Sequence, residues 1–279
     1  MPAITPALRP RVVVDADACV PAELRRALGI VCAPGEPAVV TEREAIRWLA
    51  PDAGPLPGSA IAGACAAVAE PGGAVIYVRT GDGYGSPDDA GGAAREAVEA
   101  RGAAFHLLAT GAALMAAGWA AVCAAEAIGA GAGAEAAVAA GRRAAAAAGA
   151  IAMLEHPELA GLVADRGRGV TTRVLVRIEG ATLPLLAAVP RRETALAALR
   201  DRFAALVAAG GGAGALRVAV HHAGSAAAAG AMALWIERHL APAQTVVAPL
   251  TRHAATRLGP GMVGLAWTWE PPPSDARGV

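Results

Sequence analysis

Between residues 11 and 128 the chain repeats one pattern, a short apolar run of strand type followed by a stretch with apolar residues at helical spacing. Arg11 to Asp15 (RVVVD) leads into Val20 to Leu28, Ile30 to Cys32 reads as a second short strand, and Thr41 to Glu44 has capping-box spacing before Ala45 to Leu49. Ser59 to Ala69 reads as a helix with Ser59 at its N-cap, and Ala74 to Val78 (AVIYV) as a buried strand. Ala104 to Leu108 and a helix from Gly111 to Ile128 continue the alternation. Strands that take turns with helices must run the same way in the sheet, so a mostly parallel sheet flanked by helices is predicted here.

The GAGAGA stretch from Gly129 to Ala134 breaks that rhythm before an Ala-rich helix, Glu135 to Leu154, and the texture then changes. Thr172 to Ile178 and Ala181 to Val189 are strands joined at Glu179-Gly180, a two-residue hairpin signal, so antiparallel pairing is expected. A helix over Arg191 to Ala209, a strand over Leu216 to Val220, a helix over Ser225 to Leu240 and strands over Thr245 to Val247 and Met262 to Trp267 complete a second unit. The expected architecture is α/β in two domains: an N-terminal α/β domain, residues 1–154, and a C-terminal α+β domain, residues 155–279, with a largely antiparallel sheet.

Hydrophobic residues make up 55% of the chain and aromatics 3%, so any ligand cavity will be aliphatic. No lysine occurs, which removes a phosphate-binding P-loop lysine, a Schiff base and a lysine general base. Basic and acidic residues balance at 24 each, which argues against a nucleic-acid partner. The four cysteines show no metal-ligand spacing and read as reduced thiols. The first residues carry no apolar h-region, and the uncharged segment Gly102 to Ala125 divides into a strand and a helix, so the chain is expected in the cytoplasm without a transmembrane segment.

Three places could carry chemistry. The loop Thr80 to Ser86 (TGDGYGS) follows a buried strand, with Pro87, Asp88 and Asp89 opening the next helix, so its N–H groups can meet an anion. A plain turn fits equally, and a dinucleotide site is disfavoured because the spacing is GxGxG and the next strand ends without a carboxylate. Ser59 can cap its helix or share that helix end with a ligand. Arg257, before the Gly259-Pro260-Gly261 turn, suits either a bidentate fork to a carboxylate or a solvated position. His221-His222 read as structural or surface residues, and Asp15 and Asp17 as partners of Arg79 or as a helix cap.

The opening VVVDADACVPAELRRALGI and the closing GPGMVGLAW, with PGSAIAG, VRTGDGYGS and LVRIEG in order between them, resemble the DegV family over nearly the whole chain. The resemblance implies a protein that binds a long-chain fatty acid between two domains, with no other cofactor. It also implies a partner, since some members deliver the acid to a separate kinase subunit. By position the family's carboxylate-binding Thr falls near Gly58 with Ser59 beside it. The Ser and Thr of its Ser-Gly-Thr segment fall at Tyr84 and Ser86, and its His before Gly-Pro-Gly falls at Arg257. The family's Gly-Gly-Arg turn has no counterpart beyond Arg166 and Arg168. The implied lipid-binding set is Ser59, Thr80, Tyr84, Gly85, Ser86, Arg257, Gly259 and Gly261, with no catalytic residue. Two other readings compete: an enzyme on a small anionic substrate with Tyr84 as acid, for which no base is evident, and a diverged interaction protein without a tunnel.

Overall fold

The computed structural model describes residues 8–33, 41, 57–85, 87, 89–162, 172–210 and 214–270. The helix expected over Ala45 to Leu49 lies outside them, as do Ser86, Asp88, Arg166 and Arg168.

The first sheet is built as the alternation dictates. Strands β1 (Arg11–Asp15), β2 (Val31–Ala33), β3 (Ala74–Arg79) and β4 (Ala104–Ala109) lie in the order β2-β1-β3-β4, and every pairing is parallel. Helices α1 (Ala22–Leu28), α2 (Gly58–Ala67), α3 (Ala90–Glu99) and α4 (Met115–Gly129) alternate with them. Helices α2 and α3 cover the outer face through Ile61, Cys65, Ala94 and Val98, packed on Val13, Val75 and Tyr77.

The second sheet has six strands in the order β7-β6-β5-β10-β8-β9 and is antiparallel except where β8 (Ala215–His222) meets β9 (Gln244–Pro249). Strands β6 (Arg173–Arg177) and β7 (Leu185–Val189) form the expected hairpin, with its two-residue turn at Gly180-Ala181, one position later than predicted, closed by Glu179 and Thr182. Helices α6 (Arg192–Gly210) and α7 (Ala226–Leu240) pack Leu199, Phe203 and Ile236 on its outer face. The central β10 (Val263–Glu270) is the last described element.

Two elements differ from expectation. The helix predicted to run on to Leu154 stops as α5 (Ala134–Ala146), and Gly149–Leu154 is a strand, β5, paired between β6 and β10. A further helix, α8 (Arg252–Leu258), stands where only the approach to the Gly-Pro-Gly turn was expected.

Helix α4 lies between the sheets and is buried almost all round, touching β1 and β3 on one side and β10 on the other. Its alanines permit that approach, and Trp119 fills the remaining space with its indole N–H 3.4 Å from the Ala266 carbonyl. Buried His221 holds the start of the helix, where Leu114 adopts φ 53°. The imidazole Nε2 accepts from Met115 N–H at 3.1 Å while Nδ1 lies 3.0 Å from the Ala248 carbonyl. Those partners require the neutral tautomer protonated on Nδ1. Burial agrees, pushing its pKa down to about 4. No helix among the described residues is long and apolar enough to cross a membrane.

Candidate functional site

In a parallel sheet the carboxyl ends of strands at which the winding reverses leave a crevice. With the order β2-β1-β3-β4 that crevice lies beyond β1 and β3, whose last residues are Asp15 and Arg79. The loop after β3 folds over Asp15, which accepts from Tyr77 O–H at 2.5 Å, Thr80 N–H at 2.8 Å and the Thr80 hydroxyl at 2.9 Å. Asp17, in the 3₁₀ turn Ala16–Ala18, accepts from Gly85 N–H at 2.9 Å. Both carboxylates are fully buried. Asp15 and Asp17 thus take loop donors that position alone would have offered to a ligand. The loop is a clasp before it is an anion cradle.

The second sheet supplies the other half. Thr251 caps α8, accepting from Ala254 N–H at 3.0 Å, and its hydroxyl donates to Asp17 Oδ1. His253, one turn before Arg257 on the same helix, bonds through Nδ1 to Asp17 Oδ2. That carboxylate holds the His253 pKa above its ordinary value, against a smaller opposing effect of burial.

Arg257 reaches from α8 across to the loop. Its Nη1 donates to the Gly83 carbonyl at 3.3 Å, its Nη2 donates to the Ala181 carbonyl, and its guanidinium carbon lies 5.0 Å from the centre of the Tyr84 ring. Gly83 makes room for it, because a Cβ there would collide with the guanidinium and its φ is +81°. Within this cluster the Tyr84 hydroxyl and Arg257 Nε are two of the buried side-chain atoms that have no hydrogen-bond partner among the described residues. Burial raises the Tyr84 pKa to about 12, partly offset by the Arg257 charge, so the phenol keeps its proton.

Thr80, Tyr84, Gly85 and Arg257 of the expected set are therefore brought together. Ser59 is not: it is exposed and is the second residue of α2, whose N-cap is Pro57. Only the start of that helix approaches the region, with Gly58 against Asp89 and Ala90 at the opening of α3. Gly259 and Gly261 face the opposite way, toward His156 and Leu159 and toward Glu155. There Arg192 donates to the Gly261 carbonyl at 3.0 Å and also grips Glu155, which Arg173 holds from the other side through Nε at 2.7 Å. The Gly-Pro-Gly turn is thus anchored by a charged cluster. Sequence reasoning gave no part to Thr251 or His253, and Gly83 entered only as one glycine of the loop. The available signal was helix punctuation, Thr251 at an N-cap and Gly259 past the last turn.

A cavity of about 870 Å³ opens between the sheets beside this cluster. Its wall joins Thr80, Gly81 and Asp82 of the loop to Gly180-Ala181 of the hairpin turn, and its aliphatic lining comes from Ala112, Ala116, Ala145, Ala148, Ala150 and Ile178. Two ion pairs, Arg79–Asp82 at 3.1 Å and Arg177–Glu179 at 3.0 Å, belong to the same wall. Arg257 meets that wall through the Ala181 carbonyl, although neither Arg257 nor Tyr84 itself lines the cavity. Among the described residues, no three His, Cys, Asp or Glu side chains are grouped to hold a metal ion.

Neither a protein-family model nor a curated protein matches the sequence. Solved structures do match. A DegV family protein from Corynebacterium glutamicum superposes with a TM-score of 0.73 at 18% identity, covering 94% of this chain and 98% of its own. A DegV family protein from Thermus thermophilus, described by its fatty acid binding, gives 0.74 at 17% identity, with 94% and 100% covered. A stearic acid-binding protein from Eubacterium ventriosum gives 0.75 at 10% identity, with 93% and 98% covered. The resemblance carried by the two ends of the sequence extends through both sheets, and this chain has the DegV fold.

Proposed function

We propose that the protein binds a long-chain fatty acid, with the carboxylate between Tyr84 and Arg257 and the acyl chain in the cavity between the sheets. One observation carries this reading: two neighbouring buried donors, the Tyr84 hydroxyl and Arg257 Nε, have no acceptor among the described residues. Buried polar groups are nearly always satisfied, and a carboxylate is an acceptor-only group with two oxygens to offer. The neighbouring space supplies the rest. Its apolar side, alanines with Ile178, Leu206 and Trp267, suits hydrocarbon beside a polar wall, its volume lies within the usual range for ligand sites, and each methylene removed from water contributes about 0.8 kcal/mol. The fatty acids named for structural neighbours support the same ligand class. Among the described residues the cysteines are free, which fits the cytoplasm as the place of action.

As an enzyme acid Tyr84 is poorly placed, because a phenol raised to about 12 donates a hydrogen bond near neutrality and not a proton. Presentation of the bound acid to a kinase subunit remains part of the proposal that only such a subunit can test.

The experiment is mass spectrometry of lipid released from denatured protein, joined to titration of delipidated protein with oleate. A co-purifying fatty acid and saturable binding are expected, and Arg257→Ala should weaken binding at least tenfold through loss of a charge-assisted contact. Absence of both lipid and oleate binding would overturn the reading, and unchanged affinity in Arg257→Ala would remove that residue from the site.

A further inference from the structure

Helix α8 is short, and only part of it touches the loop that it serves. Its alignment comes from Asp17, a buried carboxylate on the first sheet's side that holds Thr251 at the helix start and His253 within the first turn. Arg257 follows His253 by four residues, the spacing that puts two side chains on one helix face. Asp17 also accepts from Gly85 N–H, next to Tyr84. One carboxylate therefore fixes both sides of the Tyr84–Arg257 pair, the loop through Gly85 and the helix through Thr251 and His253.

We propose that Asp17 and His253 are positioning residues for Arg257, and that the protonation state of His253 sets how tightly the site holds an anionic head group. The inference rests on the fatty-acid reading above and adds a regulator to it. The charged groups that act on His253 are Asp17 from the 3₁₀ turn and Arg257 from its own helix, and Asp17 in turn faces Tyr84 and the Cys19 thiol, while Asp15 lies beyond Gly85. Tyr84 stays neutral, and Asp15 is engaged by Tyr77 and Thr80. Protonated His253 is an ionic partner for Asp17 and adds positive potential one turn from the carboxylate site. Neutral His253 keeps at most a hydrogen bond. Both effects act in the same direction, so anion affinity falls as pH rises through the raised His253 pKa, and anion binding must in return raise that pKa.

The test compares oleate affinity of the wild type and of His253→Gln, which can keep a donor toward Asp17 but does not titrate, at steps from about pH 6 to about pH 9. Ionisation of the ligand affects both proteins alike and cancels in the ratio. Wild-type affinity should fall roughly three- to tenfold relative to the variant across that range. The His253 ring, followed by NMR, should titrate above its ordinary midpoint and move higher still when oleate is added. Parallel pH profiles for the two proteins, or a His253 midpoint unmoved by oleate, would overturn the inference while leaving the fatty-acid reading intact. No oleate binding by either protein at any pH would overturn both.

Discussion

At the scale of single residues, the site depends on what glycine leaves out. Gly83 combines φ +81° with a missing side chain where the Arg257 guanidinium lies, so Gly83→Ala should cost about 1–3 kcal/mol of stability and displace Arg257. Urea unfolding and oleate titration measure the two effects. Gly92, in α3 with open space around its Cβ position, is the control, and Gly92→Ala should stabilise by up to about 1 kcal/mol. His221 gives a second prediction, with a definite sign. It stays neutral in the fold until about pH 4, whereas in the unfolded chain it takes up a proton near pH 6.5. Its contribution is complete above about pH 6.5 and is lost as pH falls toward 4, by at most about 3 kcal/mol. Wild type should therefore lose more stability than His221→Gln between pH 7 and pH 4.5 in paired urea titrations. Neither role is legible in the sequence, where His221-His222 look like any polar end of a strand. The tautomer is set by Met115 and Ala248, 106 and 27 residues away. Tyr84 and Arg257 were singled out because each occupies a position that the DegV resemblance marks, whereas Ser59 was read as a cap from a local signal that Pro57 already fills.

Among the elements, alternation identified strands β1, β3 and β4 and the hairpin of β6 and β7 to within a few residues, since period and turn chemistry are local. Strand β5 was missed for a physical reason. GAIAML carries one β-branched residue and two alanines, and it continues a run of helix formers. Its conformation is imposed by β6 and β10 on either side, a tertiary effect that outweighs propensity. Helix α8 was missed because seven residues give too little periodicity, and its cap is read only once Thr251 is placed. The packing of α4 on α5 supplies the prediction at this scale. A Cβ at Gly141 would collide with Leu108 and come within 2.9 Å of the Ala120 carbonyl, so Gly141→Val should force the helices apart and cost about 1–3 kcal/mol in chemical denaturation.

For the molecule as a whole, the two sheets both line the cavity and both contribute to the clasp, so ligand binding and their mutual fit are the same problem. Ala148→Phe, in the cavity lining and away from Tyr84 and Arg257, should abolish oleate binding while leaving the circular dichroism spectrum unchanged. Binding as tight as wild type would place the acyl chain elsewhere. The position of β10 has a consequence for biosynthesis. The four described strands of the parallel sheet are all present once residue 109 has been made, but the six described strands of the second sheet lack an interior member until residues 263–270 emerge. A ribosome that stalls earlier holds a chain with β5 and β8 each bearing a bare edge, the kind of nascent species that chaperones and proteases recognise.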